Sequence, residues 1–356
     1  MSEDVRTVFR GWADSWAAMG SPLMGRLGHA LAEVLDETTE TGRRILNWSG
    51  DFKGDAVPIR VTGGLNALRL AGEAPLLTPL YPPNDVPPPE TFAAILKGAL
   101  PKLDDALQPW LDDAPQTNEV GRAAVVMPAL MQIAGTHKLS IRLFELGSSA
   151  GLNLRLDDYR YDFGGHIVGK DQAPLTLTPD WDGPTPAGDW PEITERRGVD
   201  VLPLDVTDPD ARARLTAYCW PDQVQRVMRL EAALAVAATD PPPLDGEDAA
   251  DWTERHVAPK AGTATVIFHT IAFQYFPKSS QARITAHLEH EGAQASPDAP
   301  LHWVRFEDDM VGTSLLPTLT VRSWPPGLGT GKPVHLATAH PHGSRITWHG
   351  SGGPRD

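Results

Sequence analysis

Residues 141–157 read IRLFELGSSAGLNLRLD. An apolar run ends in the acid Glu145, a turn bounded by Gly147 and Gly151 follows, and the chain continues into a stretch of helical character. A strand, a glycine-rich turn and a helix in this order usually hold a nucleotide. Nucleotides usually carry phosphate, and a carboxylate beside phosphate is unfavourable. We therefore predict a ligand without a pyrophosphate for this turn.

This stretch has three possible interpretations: a dinucleotide site, an S-adenosylmethionine site, or a turn that binds no ligand. A dinucleotide turn has the spacing G-x-G-x-x-G, but Ser149 and Leu152 stand at its second and third glycine positions, so the fit is poor. S-adenosylmethionine presents a sulfonium, an ammonium and a carboxylate without phosphate, so an acid at the strand end is favourable. A tight turn with no ligand remains open.

After residue 139 the pattern alternates between strands and helices, which predicts a parallel sheet with helices on its faces. The strand candidates are 139–146, 197–206, 263–273 and 300–308, and a helix is predicted over 279–290. Residues 159–169 predict an inserted hairpin, and residues 317–350 predict an antiparallel finish.

The residues before the glycine turn have helical spacing. Val5, Val8, Phe9, Trp12 and Trp16 form one apolar stripe. We predict an all-helical N-terminal cap over residues 1–135 and a Rossmann-like domain over residues 136–356.

Composition narrows the classes of partner. The formal net charge is −15, with 46 acidic against 31 Lys and Arg residues, which disfavours nucleic acid. A membrane partner is not expected, because no apolar run has the length of a membrane span. The N-terminus has no apolar signal core, so we expect a cytoplasmic protein. Cys219 is the single cysteine and is expected to be buried, and no metal site is predicted.

The pattern Glu145-x-Gly147-x-Ser149-x-Gly151 resembles the first motif of class I methyltransferases, with serine in place of the middle glycine. This resemblance implies a mainly parallel Rossmann-like sheet of class I methyltransferase type with S-adenosylmethionine as cofactor. The cofactor-binding residues that we infer around the turn are Gly147, Ser148, Ser149, Gly151, Asn153 and Glu145.

The same resemblance implies roles for residues in later segments. Asp200 would bind the ribose hydroxyls, Asp248 would lie near the adenine, and His269 would face the transferred methyl group. Asp205 is an alternative to Asp200, because the insertion at 159–192 separates the motifs. His269 is expected to act as the catalytic base if the acceptor must lose a proton, and Tyr275 is expected to shape the pocket as a second catalytic residue.

Arg122 has two open interpretations. It follows Glu119 by three residues at the start of the helix before the first strand. It could bind the carboxylate of the cofactor, or it could form a surface ion pair that contributes little.

Several longer phrases resemble one family throughout most of the chain. They are TNEVGRAAVVMPAL, ELGSSAGLNLRLDDYRYDFGG, RRGVDVLPLDVTD, WPDQVQRVMRLEAAL and VIFHTIAFQYFP. These phrases are similar to the bacterial domain-of-unknown-function family 2332, and the resemblance extends from about residue 57 to residue 350. It implies no activity.

The function predicted from these patterns is S-adenosylmethionine-dependent methyl transfer to a small molecule. A serine hydrolase is one alternative, because G-S-S-A-G also fits a nucleophile elbow centred on Ser149. Asp248 or Glu307 with His340 or His342 would then complete a triad. A non-catalytic ligand-binding protein with the same fold is the second alternative.

Overall fold

The computed structural model describes residues 4–308, 316–325 and 331–350. By their internal contacts these residues form two compact units. One unit contains residues up to Thr117 together with Asp208–Glu231, and the other contains Asn118–Thr207 and the residues from Ala232 onward.

Helices and strands follow the chain in a simple order. The α-helices are α1 (Val5–Ala18), α2 (Pro22–Val34), α3 (Glu40–Leu46), α4 (Val57–Leu70), α5 (Pro89–Asp112), α6 (Ala123–His137), α7 (Pro209–Tyr218), α8 (Val224–Thr239), α9 (Ala249–His256) and α10 (Lys278–Gln294). The strands are β1 (Ser140–Leu146), β2 (Arg160–Phe163), β3 (His166–Gly169), β4 (Thr176–Leu177), β5 (Asp180–Asp182), β6 (Ile193–Asp200), β7 (Leu244–Gly246), β8 (Thr263–Thr270), β9 (Leu301–Glu307), β10 (Thr318–Trp324), β11 (Val334–Ala339) and β12 (Arg345–Trp348). Short 3₁₀ segments occupy Pro75–Leu80, Val120–Arg122, Leu152–Asp158 and Phe273–Tyr275.

The first unit is helical throughout its described residues, as the apolar spacing predicts. The apolar stripe of α1 is buried at Val8, Phe9 and Trp16 and packs against apolar residues of α2 and α5. Ser21 caps α2 by accepting a hydrogen bond from the backbone N–H of Met24 at 3.2 Å. This core gives the helical part of the chain a hydrophobic centre of its own.

Residues 208–231 belong to this helical unit although they follow the glycine turn in sequence. The side-chain amide of Asn66 donates to the backbone oxygen of Ala217 at 2.9 Å. Asp222 accepts hydrogen bonds from the Ser21 hydroxyl at 2.6 Å and from the Leu23 N–H at 3.0 Å. The units therefore differ from the predicted division at residue 135, and helix α6 belongs with the sheet.

The second unit is built on a nine-stranded, mostly parallel sheet in the order β5-β12-β11-β10-β9-β8-β1-β6-β7. Strands β7, β6, β1, β8 and β9 are mutually parallel. Counted along the chain, these five strands have the order 3-2-1-4-5 of a doubly wound Rossmann-like sheet. The order reverses between β1 and β8, which makes their carboxyl ends the switch point of the sheet.

Helices cover the sheet, and side-chain alternation decides which residues meet them. Phe144 and Leu146 of β1 pack in one apolar cluster with residues of α9 and α10. Alternation along a strand directs Glu145, which lies between them, to the opposite face. The burial of Glu145 therefore follows from the strand register.

The connection from β1 to β6 differs from the sequence-based expectation. We expected a helix after the glycine turn, but Leu152–Asp158 forms only 3₁₀ turns. Leu152, Leu154 and Leu156 are fully buried, and the polar Asn153 and Arg155 between them are buried as well, so the segment does not bury a single helical face. The predicted hairpin then follows as β2 and β3, which pair across Gly164 and Gly165 at positive φ.

The C-terminal part forms the antiparallel finish that the sequence predicts. Strand β10 pairs antiparallel with both β9 and β11, and β11 pairs antiparallel with β12. The short strand β5 from the insertion adds to β12 in parallel orientation. In the part of the chain that the structure describes, no helix is both long and apolar enough to cross a membrane.

A pair of helical glycines tests this packing. A Cβ added at Gly63 in α4 would lie 2.3 Å from Cε1 of the buried Tyr218, whereas Gly98 in α5 has nothing within 4 Å. We expect Gly63→Ala to lower the free energy of unfolding by about 1–3 kcal/mol through overpacking. Gly98→Ala should raise it by about 0.5–1 kcal/mol. Urea unfolding of both variants measures these changes, and equal effects would contradict this packing.

Candidate functional site

The candidate site lies at the carboxyl ends of β6, β1 and β8. In open α/β sheets, ligands bind outside this edge at the switch point. Glu145 on β1 lies beside Gly198 on β6 and beside Phe268 on β8. The segments that leave these three strands therefore emerge side by side.

The turn after β1 is held from several sides. The N–H groups of Gly147 and Ser148 both donate to the Val199 oxygen, at 2.9 and 3.0 Å. The Asn118 side chain accepts a hydrogen bond from the Leu152 N–H at 2.9 Å. These contacts fix the turn against β6 and against the segment that precedes α6, so its backbone geometry is preorganised.

Asp200 joins the end of β6 to this turn. Its Oδ2 accepts a hydrogen bond from the Ser149 N–H at 2.9 Å, and its Oδ1 accepts one from the Leu202 N–H at 3.0 Å. A carboxylate oxygen has two acceptor positions, so each oxygen can accept a further donor. Asp205 is exposed and accepts hydrogen bonds from the backbone and hydroxyl of Thr207. Of the two acids, Asp200 is the one in contact with the turn.

Two residues at the switch point have an unfavourable backbone conformation. Ser149, in the turn after β1, has φ of 54°, and Ile271, directly after β8, has φ of 49°. The left-handed region is uncommon for non-glycine residues and a genuine outlier for a β-branched one. Such strain persists only where the surroundings impose it, and it is concentrated at functional sites.

Buried polar atoms without hydrogen-bond partners gather around the turn. They are Glu145 Oε2, Ser148 Oγ, Ser149 Oγ and Asn153 Oδ1. All four residues are at most 6% exposed. A buried polar group without a partner costs free energy, so native proteins rarely retain one without a reason. The sequence-predicted residues Glu145, Ser148, Ser149 and Asn153 are thus brought together in the described structure.

The Glu145 carboxyl is the group in this cluster whose ionisation is most perturbed. Burial raises its pKa well above the usual range. A hydrogen bond with Asn153 opposes this, the Asp200 carboxylate raises the pKa further, and the Arg122 guanidinium lowers it. A cation bound nearby would favour the ionised form.

Arg122 lies close to this carboxyl but also supports the backbone. Its Nε donates to the Pro341 oxygen at 2.9 Å, and one terminal nitrogen donates to the Thr270 oxygen at 2.8 Å. It thereby links the end of β8 to the turn between β11 and β12. The predicted contact of Arg122 with a ligand carboxylate stays a prediction.

His269 is placed differently from the catalytic base that its sequence position suggested. It is fully buried, and its Nδ1 lies 2.6 Å from Glu307 Oε1. The Trp303 indole N–H donates to its Nε2 at 2.9 Å, which makes Nε2 an acceptor and leaves the proton on Nδ1. With both ring nitrogens occupied inside the protein, the geometry favours a positioning role over base catalysis.

Glu307 is the group that organises the segment after β8. Its Oε1 also accepts hydrogen bonds from the N–H groups of Ala272 and Phe273, at 3.0 and 3.1 Å. Burial raises the pKa of this carboxyl, but His269 and the two backbone donors outweigh burial and hold it below the usual range. Glu307 and His269 thus fix the chain next to the strained Ile271.

Three further predicted site residues serve other contacts. Asp248 caps α9 by accepting from the N–H groups of Ala250 and Asp251, and it also accepts the Ser280 hydroxyl at 3.0 Å. Tyr275 is 72% exposed. A Cβ added at Gly151, which has φ of 69°, would lie 2.6 Å from Cγ of Pro242.

The observed contacts of Gly151, Asp248 and Tyr275 bear on the roles that the sequence suggested for them. The small size of Gly151 is required by the packing of the chain itself, so a larger residue there would not report on ligand space. Asp248 caps a helix, and the adenine contact that its position suggested stays a prediction. Tyr275 is largely exposed to solvent, and its role in shaping a pocket also stays a prediction.

The serine hydrolase geometry does not form among the described residues. Ser149 Oγ has no hydrogen-bond partner there, so no histidine activates it. Glu307 Oε1 is held by His269, and Asp248 caps α9. Within residues 4–308, 316–325 and 331–350, no group of three or more His, Cys, Asp or Glu side chains could hold a metal ion.

Sequence patterns did not reveal three contributors to the site. Asn118, which fixes the turn, resembles a helix cap in sequence. Ile271 gives no signal, because its strain exists only in the fold. Glu307 entered only as a possible triad acid, although an acid at the end of a buried strand is a signal that could have found it.

The raised pKa of Glu145 predicts the pH dependence of stability. A free glutamate has a pKa of about 4.3, so the folded state holds this proton more tightly than the unfolded chain. The resulting stabilisation is present below about pH 4 and is lost as the pH rises through the folded pKa. Glu145→Gln cannot ionise and should become more stable relative to wild type as the pH rises, at up to about 1.4 kcal/mol per pH unit.

Urea unfolding at a series of pH values measures this difference. Glu73→Gln is the matched control, because Glu73 is exposed on a loop of the helical unit. The stability difference between Glu145→Gln and wild type should grow with pH by more than that of this control. Equal pH trends in the two variants would contradict a buried carboxyl with a raised pKa.

Comparison with known proteins gives a family. Residues 6–348 match the model of the family described as "Uncharacterized protein conserved in bacteria (DUF2332)". No curated protein and no solved structure matches the chain. The family match covers nearly the whole sequence, and its range includes the glycine turn, Asp200 and the segment after β8. The chain therefore belongs to the DUF2332 family.

Proposed function

We propose that this protein binds S-adenosylmethionine at the carboxyl ends of β1 and β6 and transfers its methyl group to a small molecule. The observation that carries the proposal is the contact between Asp200 and the turn. The Asp200 carboxylate lies 2.9 Å from the Ser149 N–H, at the sheet edge where a doubly wound fold binds nucleosides. In this proposal the sheet is of class I methyltransferase type.

The charges around the turn support a cationic ligand over a phosphate. Glu145 and Asp200 are close enough to raise the pKa of Glu145, so this edge already carries an acidic bias. Phosphate sites use the N-terminus of an α-helix after the turn, but Leu152–Asp158 forms only 3₁₀ turns. Both features disfavour pyrophosphate and fit a ligand that carries positive charge.

The chain offers a distinct group for each part of this ligand. Asp200 retains acceptor positions for the two ribose hydroxyls, as a dinucleotide fold uses its second-strand acid. The Glu145 carboxyl, with its partner Asn153, can ionise beside an ammonium group, because a nearby cation lowers its raised pKa. The unpartnered hydroxyls of Ser148 and Ser149 can complete hydrogen bonds when a ligand binds at the turn.

The chemistry requires little beyond positioning. S-adenosylmethionine supplies a methyl group on sulfonium, which passes by in-line displacement to a lone pair of the acceptor, while the sulfur keeps the electrons of the broken bond. The chain must hold the two molecules in line and exclude water. The occupied ring nitrogens of His269 favour an acceptor that reacts without a histidine base.

Isothermal titration calorimetry tests the proposal with two neighbouring acids. Asp200→Asn keeps one acceptor for the Ser149 N–H but removes the charge, and we expect it to weaken S-adenosylmethionine binding about 10-fold or more. Asp205→Asn is the matched control, because Asp205 contacts Thr207 instead of the turn. Its affinity for S-adenosylmethionine should equal that of wild type.

Two results would overturn the proposal. Wild-type protein that does not bind S-adenosylmethionine at millimolar concentration removes the cofactor. Equal losses in both variants would show that the Asp200 contact does not define the site. Binding without methyl transfer to any acceptor would instead support the non-catalytic alternative.

A further inference from the structure

A cleft of about 330 Å³ opens beside the glycine turn, within the sheet unit. One wall is formed by the segment that follows β6, including Pro203, Leu204 and Asp205, and the other by Pro241 and Pro242 before β7. Clefts of about 300 Å³ and larger accommodate small organic molecules. The proposed cofactor contacts do not use these residues.

The cleft is anchored on both sides, which makes it preformed. The Leu204 N–H donates to the Ser149 oxygen at 3.1 Å, and Ala150 of the turn contributes to the lining. On the other side, the Gly198 N–H donates to the Pro243 oxygen at 2.9 Å, so the proline segment is hydrogen-bonded to β6. A rigid site loses little entropy on binding.

The side chains that line the cleft are apolar apart from Asp205. Proline rings and the side chains of Leu204, Val206 and Leu244 share the exposed lining with nearly as much polar surface, and prolines offer no backbone donor to a ligand. Of the described residues that line the cleft, Asp205 is the only charged one. Its Oδ1 accepts two hydrogen bonds from Thr207, at 2.8 and 2.7 Å, which orient the carboxylate and leave Oδ2 for another donor.

These features define the ligand by its chemistry. Apolar side chains beside polar surface accommodate a body that is apolar in part, and one oriented carboxylate at the rim selects a cationic or hydrogen-bond-donating group. Hydrogen bonds from Thr207 hold the pKa of Asp205 below its usual range, so the carboxylate stays charged at neutral pH. The net charge of −15 also disfavours anionic ligands.

We propose that this cleft is a second binding site, which takes a small, partly apolar molecule that carries one amine. The site is separate from the cofactor contacts of Asp200 and does not depend on methyl transfer. Its position next to Ser149 and Ala150 places an occupant beside the glycine turn. A bound ligand there would rest on one side of the same turn that Asp200 contacts from β6.

Ligand-observed NMR with two probes tests the site. Tryptamine carries an indole body and an ammonium group, and indole-3-propionate carries the same body with a carboxylate. We expect tryptamine to bind with a dissociation constant of about 1 mM or tighter and the propionate to bind more weakly. Asp205→Asn should weaken tryptamine binding about three- to fivefold and remove the preference between the probes.

Two further variants separate this site from non-specific binding. Leu204→Trp places a larger side chain in the cleft and should abolish the binding of both probes. Asp298→Asn makes the same charge change at an exposed position between α10 and β9 and should change nothing. If Leu204→Trp fails to fold, the loss of probe preference in Asp205→Asn still decides the question.

The proposal is overturned if neither probe binds at millimolar concentration. It is also overturned if both probes bind folded Leu204→Trp as they bind wild type, or if Asp205→Asn keeps the preference for the amine. S-adenosylmethionine binding, measured on the same samples, distinguishes the two proposals. Tryptamine binding without S-adenosylmethionine binding would retain this cleft and remove the proposed function.

Discussion

The hydrogen bond from the Ser149 N–H to Asp200 Oδ2, at 2.9 Å, is the contact on which the rest of the site depends. It joins the turn after the first strand to the end of its parallel neighbour and stabilises Ser149 in a left-handed conformation. The contact also fixes the acid of β6 within electrostatic reach of Glu145. The binding site at the carboxyl ends of β1 and β6 is therefore preorganised before a nucleoside binds.

A residue with an unfavourable backbone conformation follows each of the two strands at the switch point, Ser149 after β1 and Ile271 after β8. Hydrogen bonds stabilise both residues in this conformation. Ile271 after β8 is retained by the backbone hydrogen bond from its N–H to the Phe306 oxygen at 2.7 Å. The buried Glu307 gathers His269 and two backbone donors onto one oxygen directly beside it. Some residues that the sequence suggested as catalytic, such as His269 and Glu307, therefore hold the backbone in place.

Much of the architecture could be predicted from the sequence because its signals are local. Strand candidates with apolar runs, such as the one that contains Phe268, became parallel strands in the Rossmann-like order. The membership of residues 208–231 in the helical unit could not be predicted, since it depends on long-range contacts such as Asn66 with Ala217. The helix expected after the glycine turn did not form: the segment makes 3₁₀ turns, and residues 152–156 are buried throughout instead of along one helical face.

The site was predictable in part for the same physical reason. The turn residues and Asp200 are adjacent in the fold because parallel strands bring their carboxyl ends to one edge, a rule that sequence order reveals. His269, Asp248 and Tyr275 were assigned by position along the chain alone. Position along the chain does not show that a glutamate and a tryptophan indole form hydrogen bonds with the two ring nitrogens of His269. Nor does it show that Asp248 caps a helix.

The most direct test of the central claim counts the protons released when S-adenosylmethionine binds, by calorimetry in buffers of different ionisation enthalpy. Glu145 has a raised pKa in the unliganded protein, and an ammonium group nearby should drive its ionisation. We expect net proton release with S-adenosylmethionine at pH values below the raised pKa of Glu145, but not with 5′-methylthioadenosine, which lacks the ammonium group. Glu145→Gln should release no proton with either ligand. Absence of binding, or the same proton release in wild type and Glu145→Gln, would contradict the account.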